Sequence, residues 1–495
     1  PLFALCSHYH DLLHTCRTWD NEADFMQVLV LHSLNHLMKT KDLRASHNRQ
    51  EKERAKRLRL AKAQAKLERR ARKERKGKGP AGGAEEEAEP EVPKDSGFTP
   101  CAVLILLPYR NIALRYVELI LQILKPSKVE GKDDFEFEFA ETDVDPKFAK
   151  RSADYQRQFE GNISDDFCFG ITVRQDSVSL LAHYYRADII IASPLRLAHE
   201  AKRGRNKGHD FLSSVEVLIV DQADTILMQN WAWMDSVLEV CGRTPKHMHR
   251  TADYARLHPW HVEKCAQYLR QSIVVSRFQD PRLIATFDRS LRNVAGRVQC
   301  QQLFQTGAIG KVYNGARSIL QRLDCTSVAA VPDAHFKFFT QQLFPALHKR
   351  MTSVFGQRGL IVFVPSYFDF VRLRNFLEQE DRECFRELCE YTSPKDLHRG
   401  AQDFREGKCN MVLMTERFYY FKRFNLRTGK SIIFYQPPTN AQFYHTLIND
   451  LSTADEAPTV YTFYTKYDAH ALSRIVGTDR ARTILTSEKD THLLA

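Results

Sequence analysis

An apolar run that ends in two acidic residues is the part of this sequence best suited to chemistry. The run VLIVDQAD, residues 217–224, places Asp221 and Asp224 at the end of a predicted strand. A carboxylate at the carboxyl end of a strand in an α/β fold can hold the magnesium ion that bridges nucleotide phosphates. The run is equally consistent with a buried strand capped by an aspartate, and both interpretations stay open here.

Triphosphate binding also needs a phosphate cradle, G-x-x-x-x-G-K-[ST], between a strand and a helix. Three segments come close, and each lacks an essential part. QTGAIGKV (305–312) lacks the first glycine and the hydroxyl, LRTGKS (426–431) leads into a strand, and GKG (77–79) lies in a low-complexity segment. Gln222 stands where a general base would follow Asp221, and an amide cannot take a proton from water at neutral pH. The sequence therefore predicts no ATP hydrolysis at this site.

Cysteine and histidine are concentrated near the amino terminus in CSHYHDLLHTC (6–16). Both are zinc ligands, but the spacing fits no standard zinc site. A partly buried amphipathic segment is the preferred interpretation, and we predict no metal. The eleven cysteines include no C-x-x-C pair, which is typical of free thiols in a reducing compartment.

The positive charge of the chain is confined to one segment. Residues 49–78 contain 15 Lys or Arg and 4 Glu, a net of +11. Subtracting these from the 72 basic and 61 acidic residues of the chain leaves 57 of each sign. We predict that phosphate binding or nuclear targeting depends first on this segment, although a solvated helix without a ligand is the alternative. The cations assigned to RNA contact here are Arg69, Arg70, Arg72, Lys73, Arg75 and Lys76.

A second candidate for RNA contact is TERFYYFKRFNLR (415–427), which interleaves cationic and aromatic side chains. Aromatic stacking combined with phosphate contact is a common way of holding single-stranded RNA. Aromatic residues after a strand are often part of a core instead, and that alternative stays open. We expect a loop here, and the assigned cations are Arg417, Lys422, Arg423 and Arg427.

Short apolar runs alternate with longer amphipathic stretches from Phe98 onwards, which is typical of a parallel sheet covered by helices. Two sets of five strands predict an α/β protein with two similar lobes. The first set is 103–108, 167–172, 188–193, 215–221 and 272–276, and the second is 360–365, 387–392, 410–415, 431–436 and 460–465.

Composition completes the division of the chain. We predict an amino-terminal helical region at 1–45, a basic then acidic low-complexity insertion at 46–97, a first lobe at 98–310, an interlobe connection at 311–335 and a second lobe at 336–495. No apolar run approaches the roughly 20 residues that span a bilayer, so no membrane partner is expected. The chain begins at Pro1 rather than Met, and we expect an upstream segment.

Several strings resemble the conserved motifs of DEAD-box helicases. LLPYR (106–110) resembles the second motif, and ASPLRL (192–197) resembles the segment that touches the nucleic-acid backbone. DQAD (221–224) stands where D-E-A-D is expected, and SRF (276–278) keeps only the serine of S-A-T. The first lobe thus resembles a helicase lobe whose catalytic positions have changed.

The second lobe departs further from the helicase pattern. FVPSYFDFVRLRNF (363–376) and LMTERF (413–418) resemble the fourth and fifth motifs, while FYHTLINDL (443–451) keeps only the histidine of the sixth. The motif positions carried over in the two lobes are Pro108, Arg110, Ser193, Pro194, Asp221, Gln222, Asp224, Ser276, Thr415 and His445.

Longer strings, such as GNISDDFCFG (161–170) and YTKYDAHALSRIVG (464–477), resemble the digestive organ expansion factor family of U3 small nucleolar RNA-associated proteins. The resemblance runs from about Val28 to the carboxyl end, except for the insertion. It implies two RecA-like lobes, a nuclear and nucleolar location, and a role in pre-18S ribosomal RNA maturation. The implied partners are pre-rRNA, the U3 small nucleolar ribonucleoprotein and proteins of the small-subunit processome.

These observations favour a non-catalytic, helicase-like assembly factor that binds RNA and proteins, with no cofactor and no small-molecule substrate. The alternative is an ATP-dependent RNA helicase with degenerate motifs. A third hypothesis is a protein adaptor that binds no RNA and uses the basic segment only for localisation.

Overall fold

The computed structural model describes residues 2–74, 92–140, 146, 148–203, 210–245, 253–351, 358–454 and 457–494, with backbone alone at 68–74, 201–203 and 350. The chain forms two compact units, each built on one sheet. The first unit comprises Pro1–Arg277 and Arg282–Cys300, and the second comprises Phe278–Pro281 and Gln301–Ala495.

The first sheet has nine strands in the order β3-β5-β4-β6-β2-β7-β8-β1-β9. Their bounds are β1 Asp11–His14, β2 Val103–Leu106, β3 Lys128–Glu130, β4 Cys168–Val173, β5 Ser177–Ala182, β6 Ile189–Ala192, β7 Val217–Val220, β8 Gln271–Val275 and β9 Arg297–Cys300. All neighbouring strands are parallel except that β4 runs antiparallel to both β5 and β6. Every residue of β2, β6 and β7 is buried, as expected of central strands covered on both faces.

The helices of this part of the chain connect and cover these strands. They are α1 Leu2–Ser7, α2 Glu22–Glu74, α3 Arg110–Leu124, α4 Lys132–Phe139, α5 Ala153–Phe159, α6 Pro194–Arg203, α7 Ala223–Gln229, α8 Trp231–Val240, α9 Pro259–Val262 and α10 Pro281–Ser290.

Strand β1 was not among the predicted strands, because its sequence DLLH resembles part of an amphipathic segment. It lies between β8 and β9, with Leu12 opposite both Ile273 and Val298. The buried Asp11 carboxylate accepts hydrogen bonds from the backbone amides of Ser272 at 2.6 Å and Asn293 at 2.8 Å. The amino-terminal region, predicted to be helical, therefore also contributes a strand to the first sheet.

Helix α2 runs through the boundary that composition suggested at residue 45. At about 1.5 Å per residue, its 53 residues extend for roughly 80 Å. The first half buries apolar side chains at helical spacing, from Phe25 to Leu37. Residues 52–67 are exposed throughout, so this half of the helix leaves the core.

A buried ion pair holds α2 where it leaves the core. The Asp95 carboxylate pairs with the Arg256 guanidinium and accepts a hydrogen bond from His47 Nδ1 at 2.7 Å. Arg256 also donates to Asn48 and lies 3.5 Å from Glu51, both on α2. Burial alone raises the pKa of Asp95, but the hydrogen bonds from Arg256 and His47 outweigh it and hold this pKa below its usual value.

The second sheet has seven strands in the order β12-β13-β11-β14-β15-β10-β16, of which only β16 is antiparallel to its neighbour. Their bounds are β10 Arg317–Arg322, β11 Leu360–Val364, β12 Phe385–Leu388, β13 Met411–Thr415, β14 Ser431–Phe434, β15 Thr459–Tyr464 and β16 Thr491–Leu494. The helices are α11 Val331–Phe338, α12 Phe344–Met351, α13 Tyr367–Glu380, α14 Pro394–Arg405, α15 Glu416–Lys422, α16 Gln442–Asn449, α17 Ala469–Val476 and α18 Thr478–Thr486. Strand β10 comes from residues assigned by sequence to the interlobe connection.

The predicted α/β fold class is confirmed, because the chain has two mainly parallel sheets, one in each unit. Each of the ten predicted strands has a counterpart, with ends shifted by a few residues. The largest shift is at β12, predicted at 387–392 and found at Phe385–Leu388.

We predict that Asp95→Asn lowers the free energy of unfolding at pH 7 by roughly 3 kcal/mol, because Arg256 then loses its buried carboxylate partner. The pKa of Asp95 is lowered in the folded protein, so its stabilisation is present above about pH 4 and lost as the pH falls further. Urea unfolding at pH 7 and pH 3 measures both effects.

The matched control is Asp288→Asn, which removes an exposed carboxylate 4.0 Å from Arg297. It should change stability by no more than about 0.5 kcal/mol. Equal losses for the two variants, or a loss for Asp95→Asn that is the same at both pH values, would contradict the assigned role of Asp95.

Candidate functional site

The candidate site lies at the carboxyl ends of three adjacent parallel strands of the first unit. In the order β7, β8, β1, these ends lead into Asp221, Ser276 and the segment 15–21. Residues that follow neighbouring parallel strands meet at one edge of a sheet, where α/β proteins commonly bind ligands. This is the edge at which Asp221 was expected to act.

Asp221 is fully buried, and its carboxylate is already occupied by side chains of the protein. Oδ2 accepts a hydrogen bond from the Tyr116 hydroxyl at 2.9 Å, and Oδ1 accepts one from the backbone amide of Gln222 at 2.8 Å. Oδ1 also lies 3.5 Å from Arg17 Nε. The burial of Tyr116 and the adjacent Asp221 charge raise the pKa of this tyrosine well above its usual value, so its hydroxyl stays a donor.

Arg17 places its positive charge beside Asp221, where a bound metal cation would otherwise lie. It is 1% exposed, and its Nη2 donates to Glu22 Oε2 at 3.0 Å. Burial alone lowers the pKa of Arg17, but the neighbouring carboxylates, Asp221 foremost, outweigh burial and raise it. The guanidinium is therefore a permanent cation, fixed between two acidic side chains.

Segment 15–21 stands between β1 and α2, the position that a phosphate cradle takes between a strand and a helix. Its sequence TCRTWDN contains neither glycine nor lysine. The Thr18 amide donates to Asn21 Oδ1 at 2.7 Å, and the Asn21 amide donates to Thr18 Oγ1 at 3.3 Å. These backbone donors are thus satisfied by the segment itself.

The first turn of α2 is acidic as well, because it carries Glu22 and Asp24. A helix amino terminus attracts anions through its partial positive charge. Here that charge is already countered by side chains, and Glu22 is held by Arg17 at 3.0 Å and Arg115 at 2.9 Å. A phosphate at this position would face carboxylates.

The second acid of the motif, Asp224, is also engaged. Its Oδ1 accepts a hydrogen bond from the Arg277 amide at 3.1 Å, and its Oδ2 lies 3.4 Å from Arg277 Nε. The Arg277 guanidinium stacks over Trp19, 3.5 Å from the ring centroid. Segment 276–278 is thereby attached both to α7 and to the segment after β1.

Gln222 precedes α7 in the left-handed conformation, with φ of +55°, which is uncommon for a residue with a Cβ. Its side chain does not cap α7 and is 3% exposed. The buried amide offers no basic group beside Asp221.

The other motif positions of the first unit also have structural partners. The Pro108 carbonyl accepts a hydrogen bond from Gln229 at 3.1 Å, and Arg110 donates to the carbonyls of Glu138 and Asp166. Ser193 caps α6 by accepting from the Arg196 amide at 3.1 Å, and Pro194 is the first residue of that helix. Ser276 is buried, and its carbonyl accepts from the Arg17 amide at 3.2 Å.

In the second unit, Thr415 caps α15, since its hydroxyl accepts from the Phe418 amide at 3.1 Å and donates to Glu390 at 2.7 Å. The next residue, Glu416, is buried and accepts hydrogen bonds from the amides of Thr439 and Asn440. Burial raises the pKa of Glu416. His445 lies half-buried on α16.

Segment 415–427 is not the loop that was expected, because Glu416–Lys422 forms α15. Phe418, Tyr419 and Tyr420 are buried in the core, so their rings are not available for base stacking. Arg423 ends the helix in a left-handed conformation with its guanidinium 4.3 Å from the Phe443 centroid.

The four assigned cations of this segment differ in exposure. Arg417 and Arg423 are half-buried, whereas Lys422 and Arg427 are exposed. Helix α2 includes four of the basic-segment residues, Arg69, Arg70, Arg72 and Lys73, in a part where only the backbone is described. The other two, Arg75 and Lys76, lie outside the described residues.

Two properties of the described residues bear on other functions. No three His, Cys, Asp or Glu side chains in those ranges form a group that could hold a metal ion. Among the helices described, none combines the length and apolar character needed to cross a membrane.

Sequence reasoning missed Arg17, Tyr116 and Trp19, which complete the site around Asp221 and Asp224. The sequence TCRTWD lies directly before the acidic first turn of α2. This position indicates a site only once β1 is recognised as the strand that precedes it.

Two family models match the chain. The model described as "UTP25, NTP hydrolase-like domain" matches residues 9–298, and the model described as "Utp25, C-terminal domain" matches residues 308–494. The first match contains the whole site around Asp221.

Curated relatives match across almost the whole chain. The "U3 small nucleolar RNA-associated protein 25 homolog" of Xenopus tropicalis is 33% identical and that of Homo sapiens is 32% identical, each over 99% of this chain. "Protein NUCLEOLAR FACTOR 1" of Arabidopsis thaliana is 32% identical over 99% of this chain. The chain covers 61%, 62% and 64% of their respective lengths, so it spans about three fifths of these relatives.

Solved structures similar to this chain include two yeast DEAD-box proteins. The splicing factor Prp28 is 13% identical, with 81% of this chain and 75% of that chain covered and a TM-score of 0.26. Dbp5 bound to RNA and ADP BeF3 is 14% identical, with 79% and 77% covered and a TM-score of 0.27. Both TM-scores are below 0.5, and neither likeness bears on function.

The two family models together match residues in both units, and relatives more than 30% identical align with 99% of the chain. The chain therefore belongs to the UTP25 family.

Proposed function

We propose that this chain is a non-catalytic, helicase-like assembly factor of the nucleolar small-subunit processome, which supports pre-18S rRNA processing by binding RNA and proteins. Relatives named as U3 small nucleolar RNA-associated and as a nucleolar factor support the nuclear location and the role in ribosome biogenesis. The observation that carries the non-catalytic part is the buried ion pair between Arg17 and Asp221.

This pair opposes nucleotide chemistry in two ways. A magnesium ion at Asp221 would have to displace Arg17, leaving a buried guanidinium without one of its partners, which costs several kcal/mol. A triphosphate would also meet the carboxylates of Glu22 and Asp24 at the start of α2. With Gln222 in the base position, neither binding nor water activation has the groups it needs.

An ATP-dependent RNA helicase with degenerate motifs is the alternative. It requires a phosphate cradle after β1 and a base beside Asp221, and segment 15–21 and Gln222 supply neither. A protein adaptor without RNA contact is the other alternative, and the exposed basic half of α2 argues against it.

We predict that the purified chain hydrolyses ATP at background rate, with or without single-stranded RNA, and that MgATP does not raise its melting temperature. A ligand at 100 times its Kd would add about 2.7 kcal/mol of stability, which a thermal scan detects readily. Gln222→Glu, which restores an acid beside Asp221, should remain inactive because the cradle is still missing. RNA-stimulated turnover that disappears in Asp221→Asn would favour the helicase alternative.

A second prediction separates a structural role of Asp221 from a catalytic one. Arg17→Met leaves the Asp221 carboxylate buried without its cation and should destabilise the chain by roughly 3 kcal/mol. Arg17→Met/Asp221→Leu removes both charges and should recover a large part of that loss. Chemical denaturation measures the coupling.

In cells depleted of the endogenous protein, the double variant should still support 18S rRNA production, because no step depends on the Asp221 carboxylate. Northern analysis of the precursors checks this. A double variant that folds stably but accumulates 18S precursors would contradict a purely structural Asp221.

The third prediction concerns the basic segment. Deleting residues 49–78 removes 15 cations, and RNA affinity should become weaker and less dependent on salt. If about six of these cations contact single-stranded RNA, the slope of log K against log salt becomes shallower by about 4. Fluorescence anisotropy at several salt concentrations measures the slope.

The control is a deletion of residues 79–91, GPAGGAEEEAEPE, which contains no cation. It should leave the salt slope unchanged. An unchanged slope after deletion of 49–78 would move the RNA surface to the folded units.

A further inference from the structure

A small cavity of the second unit lies between α14 and the segment that follows α15. Its volume is about 380 Å³, and it is lined by Ala401, Arg405, Asn425, Leu426, Arg427 and Thr428. We call these six residues the Arg405–Arg427 notch. The sequence had singled out Arg427 but gave no reason to join it with Arg405.

The notch combines an apolar floor with polar walls. Ala401 and Leu426 are buried, whereas the other four lining side chains are exposed. None of the six is acidic. The two guanidinium groups are donors only, and the Asn425 amide and Thr428 hydroxyl add further donors. This set suits an anion with several oxygen acceptors.

Some of the described arginines of the second unit form ion pairs with carboxylates, and the two arginines of the notch are among those that do not. Within the described part of the chain, neither Arg405 nor Arg427 has a carboxylate oxygen within the 4.0 Å of an ion pair. By contrast, Arg386 lies 2.9 Å from Asp403, and Arg372 lies 2.6 Å from Asp333. The two guanidinium groups of the notch are therefore available to pair with an anionic ligand.

Two acids, Glu406 and Asp450, interact through their charge with the notch arginines, and neither forms an ion pair with them. Glu406 is engaged by Lys408 at 2.6 Å. Asp450 interacts with Arg427 through its charge without forming an ion pair with it, and burial raises the pKa of Asp450. Arg405 also lies in the last turn of α14, where a cation is favourable. That position explains Arg405 alone and not the donors on the opposite wall.

The wall that carries Arg427 is held rigidly by backbone hydrogen bonds. The Arg423 amide donates to the Tyr419 carbonyl at 2.9 Å, and the Gly429 amide donates to the Leu426 carbonyl at 2.9 Å. The Gly429 carbonyl accepts from the Ser452 amide at 2.7 Å. The backbone of this wall is therefore ordered before binding, and the entropy cost of binding falls on the exposed side chains.

We propose that the Arg405–Arg427 notch binds a backbone phosphate of single-stranded RNA, with the adjoining ribose against Leu426 and Ala401. Planar guanidinium groups match phosphate oxygens in pairs, and the apolar floor suits a sugar better than a second anion. This inference rests on the proposed RNA-binding function and assigns part of it to the second unit.

The test uses the full chain and a 12-nucleotide RNA containing 4-thiouridine, followed by ultraviolet crosslinking and mass spectrometry. Crosslinks are expected in peptides from 401–428. Arg405→Glu/Arg427→Glu should abolish them and weaken anisotropy-measured affinity about tenfold, while Arg405→Lys/Arg427→Lys should weaken both less, because it keeps the charge and loses only the paired guanidinium contact. The salt slope should become shallower by about 0.7 for each phosphate that the variant no longer binds.

The matched control is Arg480→Glu/Arg482→Glu, which makes the same charge change at exposed positions of α18 in the same unit. It should keep the 401–428 crosslinks, and circular dichroism melts should show all variants folded. Crosslinks that persist in the notch variant, or equal losses in the control, overturn the proposal. Binding of inorganic pyrophosphate or a phosphopeptide without RNA crosslinks would also overturn it.

The outcome is separable from the proposed function as a whole. If the notch variant binds RNA normally while the deletion of 49–78 still flattens the salt slope, the notch assignment fails and RNA binding by the basic segment stands. If both leave RNA binding unchanged, the RNA surface lies elsewhere on the folded units, and only a chain without measurable RNA affinity contradicts the proposed RNA binding itself.

Discussion

The buried pair between Arg17 and Asp221 is the interaction on which the arrangement of the first unit depends. Asp221 follows β7 and Arg17 follows β1, and β8 lies between these strands, so the pair spans three neighbouring strands. Either charge alone would be costly to bury; here Tyr116 donates a hydrogen bond to Asp221, and Glu22 accepts one from Arg17. The protein thus supplies from its own sequence the positive charge that a magnesium ion would otherwise bring to Asp221.

The same pair fixes the beginning of the long basic helix. Glu22, which receives the Arg17 guanidinium, is the first residue of α2. The buried apolar side chains up to Leu37 and the Asp95–Arg256 pair then hold the helix against the first unit. An isolated helix is only marginally stable in water, so these anchors and the Ala-, Lys- and Arg-rich composition together explain how it continues beyond them. A charge pair at the sheet edge therefore determines where the basic segment is presented.

Strands were predictable where the sequence is a continuous apolar run, and β1 was missed because polar residues stand at both of its ends. Strands such as β2 and β7 are unbroken apolar runs, and such runs need no partner to be recognised. Strand β1 has two leucines between a buried aspartate and a histidine, so its sequence pattern is lost among amphipathic segments. Without β1, the phosphate-cradle position could not be placed, and Arg17 could not be connected with an aspartate so distant in sequence. Burial likewise decided between stacking and core packing for Phe418, Tyr419 and Tyr420, which the sequence pattern left open.

The charge distribution implies a division of labour in the proposed RNA binding. Outside residues 49–78 the chain is neutral, so beyond a Debye length of about 8 Å the two units exert little net attraction on a polyanion. The basic half of α2 would then attract the RNA at longer range and provide the salt-sensitive part of the affinity. A contact on a neutral unit has to be short-range, and among the described residues Arg405 and Arg427 line one cavity without an ion pair to a carboxylate, whereas Arg386 is paired with Asp403. Under the proposal, a phosphate contact of this kind would position the RNA on the second unit, while the basic half of α2 would provide most of the salt-sensitive affinity.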